Sequence, residues 1–527
     1  MSTPQTTIYI CSGVKLNSRY EHSIYFADTA GQKGYFAGKV VRTFPAYSFI
    51  RKSWDLKVEA TMAEARTWNY LYFNHPGTNK TWYYFIDNIE YVSDSTVRLF
   101  LQLDVIQTYF FDIELLPCFI ERMHVPSDNI GQNTVPENLE VGELINNGVY
   151  NYPVLSNLCI LILSTINPMT GANIAGSLTD SVFSGMGLFV VPNGMEVEWI
   201  SQMNTLESDG QLDAIVNMWM YPEALVSLAD GYSWDEGCCI PVGGVETLDL
   251  TVAKKQSDLA GYTPKNNKLF CYPYNFLYMT NNAGGSAVYH MERFSTDVCN
   301  FTVYGAISPD GAVKIAPQYY KGVPNNYDEG MALGGYPACA WDADMYKIWM
   351  AQNQNTQALN RFTSGAKIAG GAVAAAGSLL IGNVAGVVAG AGTAISGASQ
   401  IASNLAMQKD MDIQPPQARG SYSANVNIAN DKQTFSFYWK CLNLESAKII
   451  DDYFTMYGYK LNRVLKPDIC VRPGFTYIKT IGCHIKSYLC NEDTVKIESI
   501  YDNGITFWRN GDEIGNYSLD NKPIAWG

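Results

Sequence analysis

Five histidines, His22, His75, His124, His290 and His484, are the first places to look for acid–base or metal chemistry in this chain. None stands in an HExxH arrangement, whose two imidazoles on one helix face would grip zinc. No GxSxG turn presents a nucleophilic serine, and no GK[ST] loop offers backbone N–H groups to a phosphate chain. Cys483 and His484, with Cys490 nearby, are ligand types suited to a metal, but no CxxC occurs among the 12 scattered cysteines. In a reducing compartment such cysteines are small buried apolar residues, so no metal and no cofactor is expected. In "DGYSWDEGCC", Asp235 and Glu236 could pair with a distant carboxylate for glycoside hydrolysis. A solvated loop accounts for them more simply. The glycines of "GAGTAISG", Gly390, Gly392 and Gly397, imitate a dinucleotide loop, but the third comes two places late and no acid follows until Asp410. Tyrosine- and tryptophan-rich stretches could bind sugars, yet core and interface roles are their usual use. The residues predict no enzyme.

A different kind of chemistry lies between Lys367 and Lys409, where about forty consecutive residues carry no charge. About a dozen are strongly apolar, among them Ile368, Val373, Leu379, Leu380, Ile381, Val384, Val387, Val388, Ile395, Ile401 and Leu405. Each favours insertion into lipid by roughly 0.3 to 0.6 kcal/mol, on the order of 5 kcal/mol together. Asn383, Gln400, Asn404 and the hydroxyl residues cancel part of that gain. Insertion is therefore marginal and conditional, unlike that of a permanent anchor. A membrane span needs about 20 residues, so the segment suffices for two passes, with breaks near Gly382-Asn383 and Gly390-Ala391-Gly392. Gly382, Gly386 and Gly390 recur at every fourth position, which on a helix lets a neighbouring backbone approach closely. An Ala/Gly-rich helical hairpin buried between subunits accounts for the composition equally well. Exposed in water, the segment would be a large apolar patch that drives aggregation. It is expected to be sheltered within an oligomer until triggered, and the few histidines make a proton trigger less attractive.

The rest of the composition bounds the partners. A net charge of −14 argues against general affinity for nucleic acid, and no basic membrane-seeking surface is visible. Charged residues make up only 16% while Tyr and Trp number 35 and 11, a balance that suits surfaces covered by other subunits. The first residues, "MSTPQTTIYICSGVKLN", have no basic start followed by an apolar run, so no signal peptide is expected.

Four sections follow from the patterning. Residues 1–125 read as β-structure: "WYYFIDNIEY" and "TVRLFLQLDVIQTYFFD" flank Ser93-Asp94-Ser95 as a hairpin, with Val97, Leu99, Leu101 and Leu103 on one face. "SIYFADTAGQKGYFAGKVV" predicts a second hairpin with glycines at the bend. Residues 126–343 hold short apolar runs such as "NLCILILSTI" and "GMGLFVVP" punctuated by loop residues, hence β-rich. Residues 344–420 read as helix, small-residue segment and helix, a long hairpin ending before Pro415-Pro416. In 421–527, "NLESAKIIDDYFTMYGYKLNRV" predicts a helix capped by Asn443 and stopped by Gly458, with Ala447, Ile450, Phe454 and Tyr457 on one stripe. "TVKIESIYDNGITFW" predicts a hairpin turned by Asn503-Gly504.

"YGYKLNRVLKP" (457–467), "IYDNGITFW" (500–508) and "IGNYSLDN" (514–521) closely resemble the tail knob proteins of small short-tailed bacteriophages with protein-primed genomes, the picovirus type. "LDVIQTYFFDI" (103–113), "FIERMHV" (119–125) and "DIQPP" (412–416) resemble the same family, in the same order and at similar separations. The resemblance implies a mainly β, α+β chain, with β-barrel-like tail-tube domains, an inserted β-rich knob and a long apolar helical or loop hairpin. It also implies a homo-hexameric tube at the distal end of the virion tail, made in the host cytoplasm, through which double-stranded DNA leaves. Partners implied are the upper tail tube or collar, a tip protein that degrades cell wall, and the host cytoplasmic membrane. The family's hydrophobic loop plugs the tube and then forms a membrane pore, and residues 364–409 occupy the matching place. The competing readings are a soluble pore-forming toxin and a tail-associated cell-wall glycosidase.

Overall fold

The computed structural model describes residues 6–47, 55–339 and 434–523, apart from positions 76, 79, 156, 173, 175–177, 180–181, 184, 309–311, 334–335 and 337. The chain is strand-rich, and its sheets include a curled half-barrel. It divides into two compact units. The first comprises Met1–Glu143, Asp258–Cys271 and Leu442–Gly527, and the second Leu144–Ser257 and Tyr272–Cys441. The units part at Glu143 and Leu144 and again at Cys441 and Leu442, and the short stretch Asp258–Cys271 belongs to the first unit. The section 344–420 lies outside the described residues.

In the first unit a six-stranded antiparallel sheet runs Val40–Tyr47, Thr6–Ser12, Trp68–Asn74, Thr81–Ser93, Thr96–Leu103 and Asp55–Glu59 from edge to edge. The expected hairpin is there, Ser93 facing Thr96 across a two-residue turn. Val97, Leu99, Leu101 and Leu103 are all buried while Phe100 is exposed, because side chains alternate across a strand. Phe36 stacks on Tyr70 with ring centroids 5.1 Å apart and meets Tyr83 at 4.7 Å, an aromatic cluster covering one face of this sheet.

Phe36 belongs to a helix, Thr29–Ala37, where the sequence predicts a glycine-turned hairpin. The decisive residue is Asp28: its carboxylate accepts the Gly31 N–H at 2.7 Å, satisfying a donor that a helix start leaves free. Gln32 and Phe36, four apart, are then both buried. Gly31 and Gly34 sit inside the helix rather than at a bend, their cost offset by that packing.

A five-stranded sheet completes the unit in the order His22–Ile24, Ile505–Trp508, Phe475–Ile481, Cys118–Met123 and Tyr459–Leu465. Only the first pair is parallel. The hairpin expected at Asn503-Gly504 is also replaced. Residues Asn491–Asn503 form a helix, ended by Gly504 at φ +95°, and Ile505–Trp508 is the strand that follows. "TVKIESI" satisfies both periods, but Asp493, Ile497, Ile500 and Tyr501 lie on one buried helical face while Val495 is exposed. Asn503-Gly504 therefore serves as a helix stop, the other common use of a left-handed glycine.

The helix Leu444–Tyr457 matches its expectation at both ends. Asn443 Oδ1 accepts the Ser446 N–H at 2.8 Å, and the Gly458 N–H donates to Phe454 O at 2.9 Å. Ala447, Ile450 and Phe454 are buried, but Tyr457 is exposed and packs edge-on against Tyr477. Asp451, which no apolar pattern marks, is buried on this helix.

The second unit is built from antiparallel sheets, as a β-rich middle section requires. Leu158–Ser164 lies between Gly187–Val191 and Ile215–Pro222 in a six-stranded sheet, so "NLCILILSTI" and "GMGLFVVP" supply paired strands. A second sheet orders Leu144–Asn151, Ser436–Leu442, Asn275–Thr280 and Ser286–His290, and a third carries Thr247–Lys254, Val298–Tyr304 and Lys314–Tyr320. Leu161, Leu277, Phe301, Val303, Ile315 and Phe437 from these sheets share one core.

Gly458 at φ +64° offers the sharpest test of this reading. A Cβ there would lie 2.4 Å from Met123 O and 2.5 Å from His124 N. Gly458→Ala is expected to cost about 3 kcal/mol, through strain and forced separation of the neighbouring strand, against about 1 kcal/mol for Asn443→Ala. Calorimetric unfolding of both variants checks this, and an alanine at 458 no more costly than the cap variant would refute the close approach.

Candidate functional site

The first unit is assembled from three separated stretches of chain, and buried charges join them. Glu137 has no exposed side-chain surface and pairs with Arg122 and Lys268, both almost wholly buried. Its Oε1 also accepts the Lys460 N–H at 2.9 Å. Arg122 Nη1 donates to Gly458 O at 2.7 Å, and Lys268 Nζ to Val135 O at 2.9 Å. Burial pulls the Lys268 ammonium below its ordinary range, and Glu137 opposes that shift.

Asp451 makes the second junction. Its carboxylate accepts from Tyr262 Oη and Lys265 N at 2.7 Å each, and from Asn266 N and Nδ2 at 3.0 and 2.8 Å. Four donors satisfy a carboxylate that would be costly to bury unpaired. Beside it, His124 Nδ1 accepts the Tyr477 N–H at 2.8 Å, which leaves its proton on Nε2, 3.0 Å from Thr455 O. Burial, then the Arg472 and Arg122 charges, push this imidazole down to about 3.

The strands that bound residues 340–433 are both knitted into the second unit. Ala338–Cys339 pairs with Met218 and Trp219, and Ser436–Leu442 pairs along Asn275–Thr280. Phe435, Phe437 and Cys441 are fully buried, and Thr434 Oγ1 donates to Tyr152 O at 3.0 Å. The expected membrane-active residues, Ile368, Val373, Leu379, Leu380, Ile381, Val384, Val387, Val388, Ile395, Ile401 and Leu405, lie outside the described residues, as do Gly382, Gly386 and Gly390. Among the described residues no helix is long and apolar enough to cross a membrane.

The catalytic candidates are dispersed. Asp235 and Glu236 lie on an exposed loop. Cys483 is buried, its thiol pushed up to about 12 by burial, whereas His484 and Cys490 are exposed. Among the described residues no three His, Cys, Asp or Glu side chains gather as a metal site. The buried Glu137 and Asp451 clusters escaped sequence reasoning, since their partners come from distant stretches of chain.

Residues 244–522 match the family described as Bacillus phage phi29, tail knob protein gp9, C-terminal domain. The chain belongs to this tail knob family. Residues 4–114 match a second family, the caudoviral major tail protein N-terminus. The chain is 23% identical to tail knob protein gp9 of Bacillus phage phi29, over 98% of each chain, and equally so to that of Bacillus phage B103. Its fold is shared with the bacteriophage C1 tail knob protein gp12, with a TM-score of 0.65, 13% identity and coverage of 98% of this chain and 100% of that one. This tail knob chain is accordingly a structural, non-enzymatic component at the distal end of the virion tail of a short-tailed phage, made in the host cytoplasm and associated with other tail components.

Two outcomes are expected from the buried network. Glu137→Ala leaves two cations uncompensated and should cost about 3–5 kcal/mol, read as a lower urea midpoint; a loss below about 1 kcal/mol would mean the three groups do not act as a buried unit. His124 titrates lower folded than unfolded, so its stabilisation is whole above about pH 6.5 and is lost as pH falls toward about 3. His124→Gln should flatten the fall of melting temperature across that window. Asp104, raised by burial to about 6, acts in the opposite sense but is common to both proteins and cancels in the comparison.

Proposed function

We propose that the chain forms a homo-hexameric distal tail tube that conducts double-stranded DNA during ejection, and that its uncharged segment first plugs the tube and then enters the host cytoplasmic membrane. The observation carrying this reading is the run of about forty uncharged residues between Lys367 and Lys409 in a tail knob protein. Two strands fixed in one folded unit bound the region that contains it. Ends held in that way suit a hairpin that leaves and re-enters the same body. The upper tail tube or collar and a wall-degrading tip protein would be its neighbours.

Energetics supports a collective event. A single copy gains on the order of 5 kcal/mol on insertion, before its amides and hydroxyls subtract from it. Several copies freed together multiply the gain, and packing of Gly382, Gly386 and Gly390 against neighbours lets their backbones satisfy one another. The net charge of −14 fits the passage of DNA. A duplex carries one negative charge per about 1.7 Å of axis. A basic wall would hold it back, and an acidic or neutral one would let it slide.

Dye release from liposomes tests the membrane step. The full chain should cause leakage, and a variant lacking residues 364–409 should cause none. Leu380→Asp, which adds roughly 2.5 to 3.5 kcal/mol to the insertion cost at a helix centre, should suppress most of it. Equal leakage from the full and shortened chains would remove the membrane role and leave the tube.

A further inference from the structure

Cysteines pack as small apolar residues, and most of those in this chain are buried in that way. Cys238 and Cys239, which lead into the Ile240–Val245 strand, carry more than that role requires. Neighbours on an extended chain send their side chains to opposite faces. Cys239 instead takes φ +62°, a left-handed conformation that few side-chain-bearing residues adopt. Its thiol and that of Cys238 are hydrogen-bonded to each other. A third sulfur lies alongside, since Cys238 Sγ donates to Met169 Sδ at 3.4 Å. Strained backbone of this kind gathers at working sites more than at inert packing positions.

The two thiols are not equivalent. Hydrogen bonding from Cys239 holds the Cys238 thiol below its ordinary range, against burial and, least of all, the Glu198 charge. Burial, followed by the bond to Cys238 and the charge that thiol takes on, pushes Cys239 well above. Cys238 is therefore the sulfur that ionises, and Cys239 the one that keeps its proton. The Met169 side chain beside Cys238 is 46% exposed, unbranched and free to rotate about three bonds, so it is a cover that a small solute can displace.

We propose that Cys238 and Cys239 are a reversible oxidation site, which hydrogen peroxide converts to a vicinal disulfide. The Cys238 thiolate attacks one peroxide oxygen and the O–O bond breaks, giving a Cys238 sulfenic acid and hydroxide, which takes up the proton that Cys238 released. The Cys239 sulfur then attacks the sulfenic sulfur. An S–S bond forms, the S–O bond breaks, and the hydroxyl leaves with the Cys239 proton as water. Two thiols and one peroxide thus yield one disulfide and two waters. The dithiol is the form made in the host cytoplasm, where thiols are kept reduced. The disulfide is the form open to a tail component once it has left that thiol pool, and closing the ring withdraws the S–H given to Met169. Cys118 and Cys483 supply the contrast within the same chain. Their thiols also meet, but burial raises both, Cys483 to about 12, so neither readily becomes the attacking thiolate.

Exposure of the full chain to an equimolar amount of hydrogen peroxide at neutral pH, then alkylation in denaturant and peptide mass spectrometry, tests the site. The peptide carrying Cys238 and Cys239 is expected to lose both alkylation sites and two hydrogens, and dithiothreitol should restore both thiols. This loss should run about tenfold or more ahead of any at Cys118 and Cys483. In Cys239→Ser the reaction should halt at a Cys238 sulfenic acid that dimedone traps, and in Cys238→Ser the Cys239 thiol should stay alkylatable. The native chain decides the matter even where a serine variant folds poorly. Persistence of both thiols, equal loss at Cys118 and Cys483, or oxygen on Cys238 that dithiothreitol does not remove overturns the proposal.

Discussion

Glu137 contributes no surface to solvent, and the cations that neutralise it, Arg122 and Lys268, arrive from the Cys118–Met123 strand and from the Asp258–Cys271 excursion. A carboxylate taken out of water costs several kcal/mol unless its partners are placed with care. None of the three stretches that form the first unit can settle without the others, because each holds a charge that another must answer. Asp451 repeats the constraint a few residues earlier in the same excursion, where it gathers the N–H groups of Lys265 and Asn266 onto the Leu444–Tyr457 helix. The short Asp258–Cys271 excursion is thereby held by these bonds together with its buried Leu259, Leu269 and Phe270.

Such ion networks specify position more than they add stability. That matters here, since the chain passes four times between its two units and each re-entry must find its register. The apolar work in this unit is done elsewhere, by the aromatic cluster around Phe36, Tyr70 and Tyr83 and by the buried rows of the six-stranded sheet. Charges then set register, and packing supplies the driving force.

Local signals were legible in the sequence wherever one residue carried the decision. Asn443 and Gly458 bound their helix because cap chemistry is a matter of neighbours, and the 97–103 alternation is visible as a strand for the same reason. Two glycine-bearing stretches misled, because Gly31, Gly34 and Gly504 fit a bend as well as a helix interior or helix end, and the choice fell to Asp28 and to a buried face that tertiary contacts create. The junctions were invisible: Asn266 and Asp451 stand 185 positions apart, and neither belongs to a pattern. The uncharged segment was plain as composition alone, and its residues lie outside the described part of the chain.

The parallel pairing of His22–Ile24 with Ile505–Trp508 joins widely separated stretches of the chain in one sheet. During synthesis the earlier strand must therefore wait, its edge unfilled, until Ile505–Trp508 has left the ribosome. Domains otherwise tend to fold in the order they leave the ribosome. A chain cut short before Ile505 lacks the strand that links His22–Ile24 to Phe475–Ile481, so the sheet cannot form in this order and the early strand is left without its only ladder partner among the described residues.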